Sequence, residues 1–158
     1  MRSSQTRLFP FMFLTLVLGI ASAQTRPNLS GTWKLNIAKS DFGRGPAPDA
    51  RTDKIVHEDP NLKDTITQSN QQGEITYDMN YFTDGKETTN TIRKNEFKSV
   101  AHWEGDQLAI ESKGSMGGAA TTLKDHWSLS EDGKTLTLQR HAARVIGSTD
   151  QKMVFDKQ

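Results

Sequence analysis

Turn-forming residues recur at short, even intervals, and they constrain the fold more than any other feature of the chain. They are Asp59-Pro60-Asn61, Gln72-Gly73, Asp84-Gly85, Lys94-Asn95, Gly105-Asp106, Gly117-Gly118 and Asp132-Gly133. Asp-Gly supplies the positive backbone φ that tight hairpins need. The segments between these signals alternate apolar and polar residues, the pattern of a strand with one buried and one wet face. Strands are predicted near Arg51–Glu58, Leu62–Ser69, Glu74–Phe82, Lys86–Arg93, Phe97–Glu104, Gln107–Lys113, Ala119–Leu129, Lys134–His141 and Asp150–Asp156. Ser30–Ile37 adds one more, for about ten strands at roughly 8–12-residue spacing. No stretch holds a helical period, and no internal repeat is visible.

A meander of this length must hide its edge strands. Closing into a barrel does so completely, whereas a sandwich leaves edges to protect. Short links between successive strands favour neighbouring pairs over crossovers. The expected fold is therefore all-β: an antiparallel up-and-down barrel of about 8–10 strands. The alternative is a β-sandwich, weakened by the strand count and by the lack of a Cys–Trp–Cys arrangement.

The first strand lies in Asn28–Gly43, which reads N-L-S-G-T-W-K-L-N-I-A-K-S-D-F-G. Trp33, Leu35 and Ile37 alternate with Thr32, Lys34 and Asn36. Gly31 lets another group approach closely where a side chain would clash. Ala38 to Phe42 then loses the alternation, as a short helical turn or folded loop would, with Phe42 as a plug. The Gly31-x-Trp33 pair ahead of a meander resembles the calycins, the lipocalin and fatty-acid-binding-protein group. Gly31-Thr-Trp-Lys-Leu35 is closest to the first strand of fatty-acid-binding proteins. The wider wording resembles the opening of secreted bacterial proteins of unassigned function. The resemblance implies a lipocalin-like barrel, with Gly31 and Trp33 as its structural motif. The chain departs from that group in one respect. Ala38–Ala50 is too short, and too rich in Pro and Gly, for the helix–turn–helix lid of fatty-acid-binding proteins.

Residues 1–23 read as a signal peptide. Arg2 and Arg7 precede the apolar run Leu8–Ile20, and Ala21-Ser22-Ala23 fits a small-x-small cleavage site. The run falls short of the roughly 20 residues that span a bilayer. Residues 24–158 have single-domain length. The whole chain holds 20 Lys and Arg against 19 Asp and Glu; losing Arg2 and Arg7 leaves 18 against 19, a net charge of −1. That balance gives no electrostatic reason to expect nucleic acid. With no Cys there is no disulfide, thiolate metal site or Cys nucleophile. These features imply an exported protein, periplasmic or extracellular and bacterial, without a membrane span after cleavage.

The alternation assigns an inward face: Trp33, Leu35, Ile37, Ile66, Ile75, Tyr77, Met79, Tyr81, Trp103, Leu108, Ile110, Leu123, Trp127, Leu129, Leu136, Leu138, Met153 and Phe155. Asp64, Asp125 and Arg140 are polar residues in phase with it. An apolar wall with few fixed polar groups suits a small amphipathic ligand. Arg140, Tyr77, Met79, Trp103 and Trp127 are the candidate ligand-binding residues. Three roles for Arg140 stand open. It could hold a ligand carboxylate, as the interior Arg of a late strand does in fatty-acid-binding proteins, although their Arg-x-Tyr reads Arg140-His141-Ala142 here. It could pack on Trp33, as the late-strand Arg of lipocalins does. It could pair with Asp64 or Asp125.

His57, His102, His126 and His141 have no metal-ligand spacing. No elbow motif surrounds Ser115, Ser128 or Ser130. No catalytic residue, metal ligand or cofactor is assigned. The reading is a binding protein for a small hydrophobic or amphipathic molecule. The alternative is an envelope interaction module with a packed barrel and no cavity, its protein partner unknown.

Overall fold

A computed structural model describes residues 26–158; the signal-peptide assignment and the cleavage site at 21–23 lie outside them. Ten antiparallel strands follow one another: β1 (Gly31–Leu35), β2 (Ala50–Glu58), β3 (Asn61–Asn70), β4 (Gly73–Phe82), β5 (Thr88–Ile92), β6 (Asn95–Glu104), β7 (Gln107–Met116), β8 (Ala119–Leu129), β9 (Thr135–Arg144) and β10 (Gly147–Lys157). They form one sheet in the order β4-β3-β2-β1-β10-β9-β8-β7-β6-β5. Every strand but β1 pairs with its successor or predecessor in a meander, and β1 joins β10, so the sheet curls into a nearly closed up-and-down barrel.

Closure is completed between β4 and β5 by side chains instead of a backbone ladder. The Asn80 N–H donates to Asn90 Oδ1 at 2.7 Å, and Asn90 Nδ2 returns a bond to the Asn80 carbonyl at 2.9 Å. Thr88 Oγ1 donates to the same carbonyl at 2.8 Å. Asn90 is 2% exposed, so its amide works in a dry seam. Asn90→Ala should destabilise the protein by about 1–3 kcal/mol by stranding these groups. Hydrogen exchange should then accelerate at β4 and β5 while the β8–β9 ladder stays protected; uniform acceleration would remove the special role of the seam.

The first strand is shorter than its alternation suggests. It ends at Leu35, because the Asn36 side chain accepts from Lys39 N–H and starts a 3₁₀ turn, Ile37–Lys39. Ile37, assigned to the inward face, is 42% exposed on this turn. Phe42 packs against the core, as a plug would. The last hairpin is longer than expected, with β9 and β10 meeting at a tight turn, Val145-Ile146. At the opposite strand pair, Phe97 lies across from Gly114. A Cβ on Gly114 would press on the Glu96 carbonyl and sit 2.8 Å from Phe97 Cδ1, so the glycine makes room for a fully buried ring.

The Gly31-x-Trp33 pair has a mechanical reading. Trp33 is fully buried, and its indole Nε1 donates to the Leu29 carbonyl at 2.9 Å. Lys157 Nζ lies 5.1 Å from the ring centre, a cation–π distance. A Cβ on Gly31 would come within 2.9 Å of Lys157 Cε, so the glycine is what lets the lysine stem cross to the indole.

Candidate ligand site

Successive turns lie at alternate ends of the barrel, so the ends differ. The end containing Leu29, Trp33, Leu62 and Leu108 is filled by buried apolar side chains. His57 belongs there too: its Nδ1 accepts from the Leu29 N–H at 3.3 Å, and its ring lies 5.8 Å from that of Trp103.

Cross-strand register stacks the interior into rows. Trp103, Leu108, Trp127, Leu138 and Met153 stand side by side from β6 to β10. One step toward the open end, the row is Ala101, Ile110, Asp125, Arg140 and Gln151. The next is Ser99, Ser112, Leu123, Ala142 and Thr149, in which the Ser99 and Ser112 hydroxyls meet at 2.8 Å. Polarity thus rises from the closed end to the mouth.

Two ion pairs are built into the interior. Arg140 donates from Nε and Nη2 to the two Asp125 oxygens at 2.8 and 2.7 Å. Arg51 does the same to Asp53, at 2.7 Å for each bond. Its third nitrogen reaches Met153 Sδ at 3.7 Å, and its guanidinium lies 5.3 Å from the centre of the Phe155 ring. Burial works against the charge of both arginines. Their carboxylate partners more than offset this and hold both guanidinium pKa values above the ordinary one.

Asp64 has no such partner. It is fully buried between Ile55 and Met79, and neither carboxyl oxygen makes a hydrogen bond among the described residues. Burial pushes its pKa well above the usual carboxylate range; the nearby Asp53 adds to this and Arg51 opposes it. Trp127 Nε1 is likewise buried without a partner among the described residues. Tyr81 stands edge-on to Trp127 at 6.2 Å.

These positions separate the candidates. Tyr77 and Met79 lie on β4, with Tyr77 in the Asp53 row and Met79 in the Asp64 row. Trp103 and Trp127 share the aromatic row toward the closed end. Arg140 lies nearer the mouth and does not pack on Trp33, a place that Lys157 takes; its partner is Asp125. The fork on Asp125 also means that Arg140 is not a free cation waiting for a ligand acid. Ile75 is half-buried near the mouth, whereas the remaining inward assignments apart from Ile37 are buried or packed on the core.

The Arg51–Asp53 pair went unassigned from sequence. Its signal was the two-residue step Arg51, Asp53, Ile55, His57, which puts both charges in phase with a buried Ile. Asn90 and the two serines had no comparable signal.

At the mouth, a cleft of about 490 Å³ opens to solvent. Arg44 and Pro46 of the β1–β2 loop form one wall. Met116, Leu123, Arg140, Arg144 and Ile146, from β7 to the β9–β10 turn, line the rest. Its size falls in the range of small-molecule sites, roughly 300–1,000 Å³. Among the described residues, no helix is long and apolar enough to cross a membrane.

No family model matches the chain, and no curated protein matches it. Solved structures do. The chain is similar to the zebrafish ileal bile acid-binding protein complexed with cholic acid, with a TM-score of 0.58 and 18% identity over 82% of this chain and 98% of that one. Human cRBP IV gives a TM-score of 0.58 at 19% identity, over 84% of this chain and 99% of the other. A secretory abundant heat soluble protein from Ramazzottius varieornatus gives 0.60 at 15% identity, over 85% and 98%. The fold shared with these proteins is the calycin-like barrel.

Proposed function

We propose that this chain, a calycin-like barrel, is an exported binding protein for a small hydrophobic or amphipathic molecule. The observation that carries the reading is the set of unpartnered polar atoms inside an otherwise apolar barrel: the Asp64 carboxyl and the Trp127 indole. Buried polar groups are ordinarily hydrogen-bonded, and an orphan in a native protein calls for a partner. A ligand entering from the mouth would supply one. Tyr77, Met79 and Trp127 would give the apolar wall. Trp103 would close its far side, and Arg140, held on Asp125, would border the polar end. Similar barrels support the reading, since one is complexed with cholic acid. The export half of the proposal rests on the basic start, the apolar run and the Ala21-Ser22-Ala23 site.

The test is native mass spectrometry of the gently purified protein, followed by denaturing extraction and, on the emptied protein, titration with lipid-like probes read by tryptophan emission. Extra mass released as an apolar or amphipathic molecule, or a saturable emission change, supports the reading. A clean mass with no emission response overturns it. One observation favours the alternative of an interaction module. Val145 and Ile146 are 81% and 89% exposed, and exposed apolar residues of this kind can mark contact surfaces.

A further inference from the structure

The turns at the two ends of the barrel differ in chemistry as well as in packing. The closed-end turns carry Asp59, Asp84, Glu87, Asp106, Glu131 and Asp132, all exposed, against Lys86 and Lys134. The mouth-end turns are Gln71-Gln72, Arg93-Lys94, Gly117-Gly118 and Val145-Ile146, and none contains an acid. Glu74 and Glu96 stand behind these turns on strands, and Asp49 lies where the loop returns to β2. Arg44 and Arg144 are exposed at the same end. Arg144 Nη2 reaches Met116 Sδ at 3.3 Å, tying the β9–β10 tip to the β7–β8 tip. The barrel is thus charged oppositely at its two ends, and its basic end bears the most exposed large aliphatic side chains of the described residues.

We propose that the mouth end docks on an anionic lipid surface, with the β9–β10 turn inserting Val145 and Ile146 among the acyl chains. Arg44, Arg93, Lys94 and Arg144 would then lie at headgroup level. Four cations around a two-residue aliphatic wedge match a bilayer carrying acidic headgroups. Each basic residue near such a surface raises partitioning about fivefold, and the aliphatic wedge adds depth that charge alone lacks. The acidic closed end is repelled, which fixes the orientation. The mouth cleft, bordered by Ile146 and Met116, opens on the docked face. This surface goes beyond the ligand reading and does not depend on it.

The experiment is co-sedimentation of the mature protein with vesicles of phosphatidylcholine alone and of phosphatidylcholine with phosphatidylglycerol, at low and high salt. The wild type should sediment with the anionic vesicles at low salt and stay in solution with the neutral ones. Val145→Ser with Ile146→Ser, both on an exposed turn, should lower partitioning at least tenfold with the circular dichroism spectrum unchanged. Arg93→Gln with Lys94→Gln should lower it further and flatten the salt dependence. The proposal is overturned if the wild type stays in solution with anionic vesicles. It is equally overturned if the serine variant sediments as the wild type does, or if neutral vesicles bind as well as anionic ones. Soluble acidic polypeptide that binds the basic end with the same dependence on Val145 and Ile146 would also overturn it, in favour of a protein partner. None of these outcomes depends on whether the barrel carries a ligand, which native mass spectrometry reads separately.

Discussion

Arg51→Met should destabilise the barrel by about 3–5 kcal/mol, the cost of breaking a buried ion pair by removing one partner. Asp53 is 1% exposed and would be left without the fork that holds both its oxygens. The loss of charge and the loss of packing can be separated. Arg51→Met keeps much of the stem against Phe155 and Met153, so most of the effect comes from the stranded carboxylate. Adding Asp53→Leu removes that carboxylate, and the double variant should recover most of the lost stability. Urea midpoints at constant m-value measure all three proteins. A double variant as unstable as Arg51→Met alone would mean that packing, and not the unpaired charge, sets the cost.

The second large effect is a pH dependence. Asp64 keeps its proton in the fold at pH values where the unfolded chain has lost it, because its native pKa is raised by burial and by Asp53. In that window the unfolded state binds fewer protons than the native one. The contribution of Asp64 is therefore fully present below the ordinary carboxylate value. It declines as pH rises toward the native value, by up to about 1.4 kcal/mol per pH unit. Asp64→Asn cannot titrate and should remove this slope. Denaturation series from pH 5 upward should show the wild type losing stability relative to the variant. Parallel curves would place the proton on another group or leave Asp64 ionised against Arg51. Above the ordinary carboxylate range, a ligand that donates a hydrogen bond to Asp64 would favour the ionised form and steepen its own binding with pH.

The strand meander was legible because its turns are spelled in residues that permit little else. Asp84-Gly85 and Asp132-Gly133 mark hairpin ends in any context. The β9–β10 turn was not legible: Val145-Ile146 is an apolar pair at the most exposed place on the barrel, and only Gly147 beside it hints at a turn. Alternation located Asp64, Asp125 and Arg140 inside. It could not choose a partner for Arg140, since register between β8 and β9 decides that and one residue of slip would reverse every face. The same limit hid Arg51. A strand beginning A-R-T-D reads as wet until Ile55 and His57 reveal its phase. Gly31-x-Trp33 identified the barrel start correctly, but the cation above the indole comes from Lys157 in the last strand, beyond any local reading.

The pairing of β1 with β10 has a consequence for how the chain can be made. Gly31–Leu35 and Gly147–Lys157 are nearly the two ends of the described sequence, yet they are neighbours in the sheet. A growing or threading polypeptide can form the hairpins β3–β4, β6–β7 and β8–β9 as each emerges, but these remain an open ribbon with an unmatched border. Trp33 lacks the Lys157 ammonium, and Leu35 lacks Phe155, until the final dozen residues arrive. The long loop closure comes last, and with it the burial that makes the closed end dry. The chain is thus built to stay unlatched throughout synthesis and to lock in a single late event.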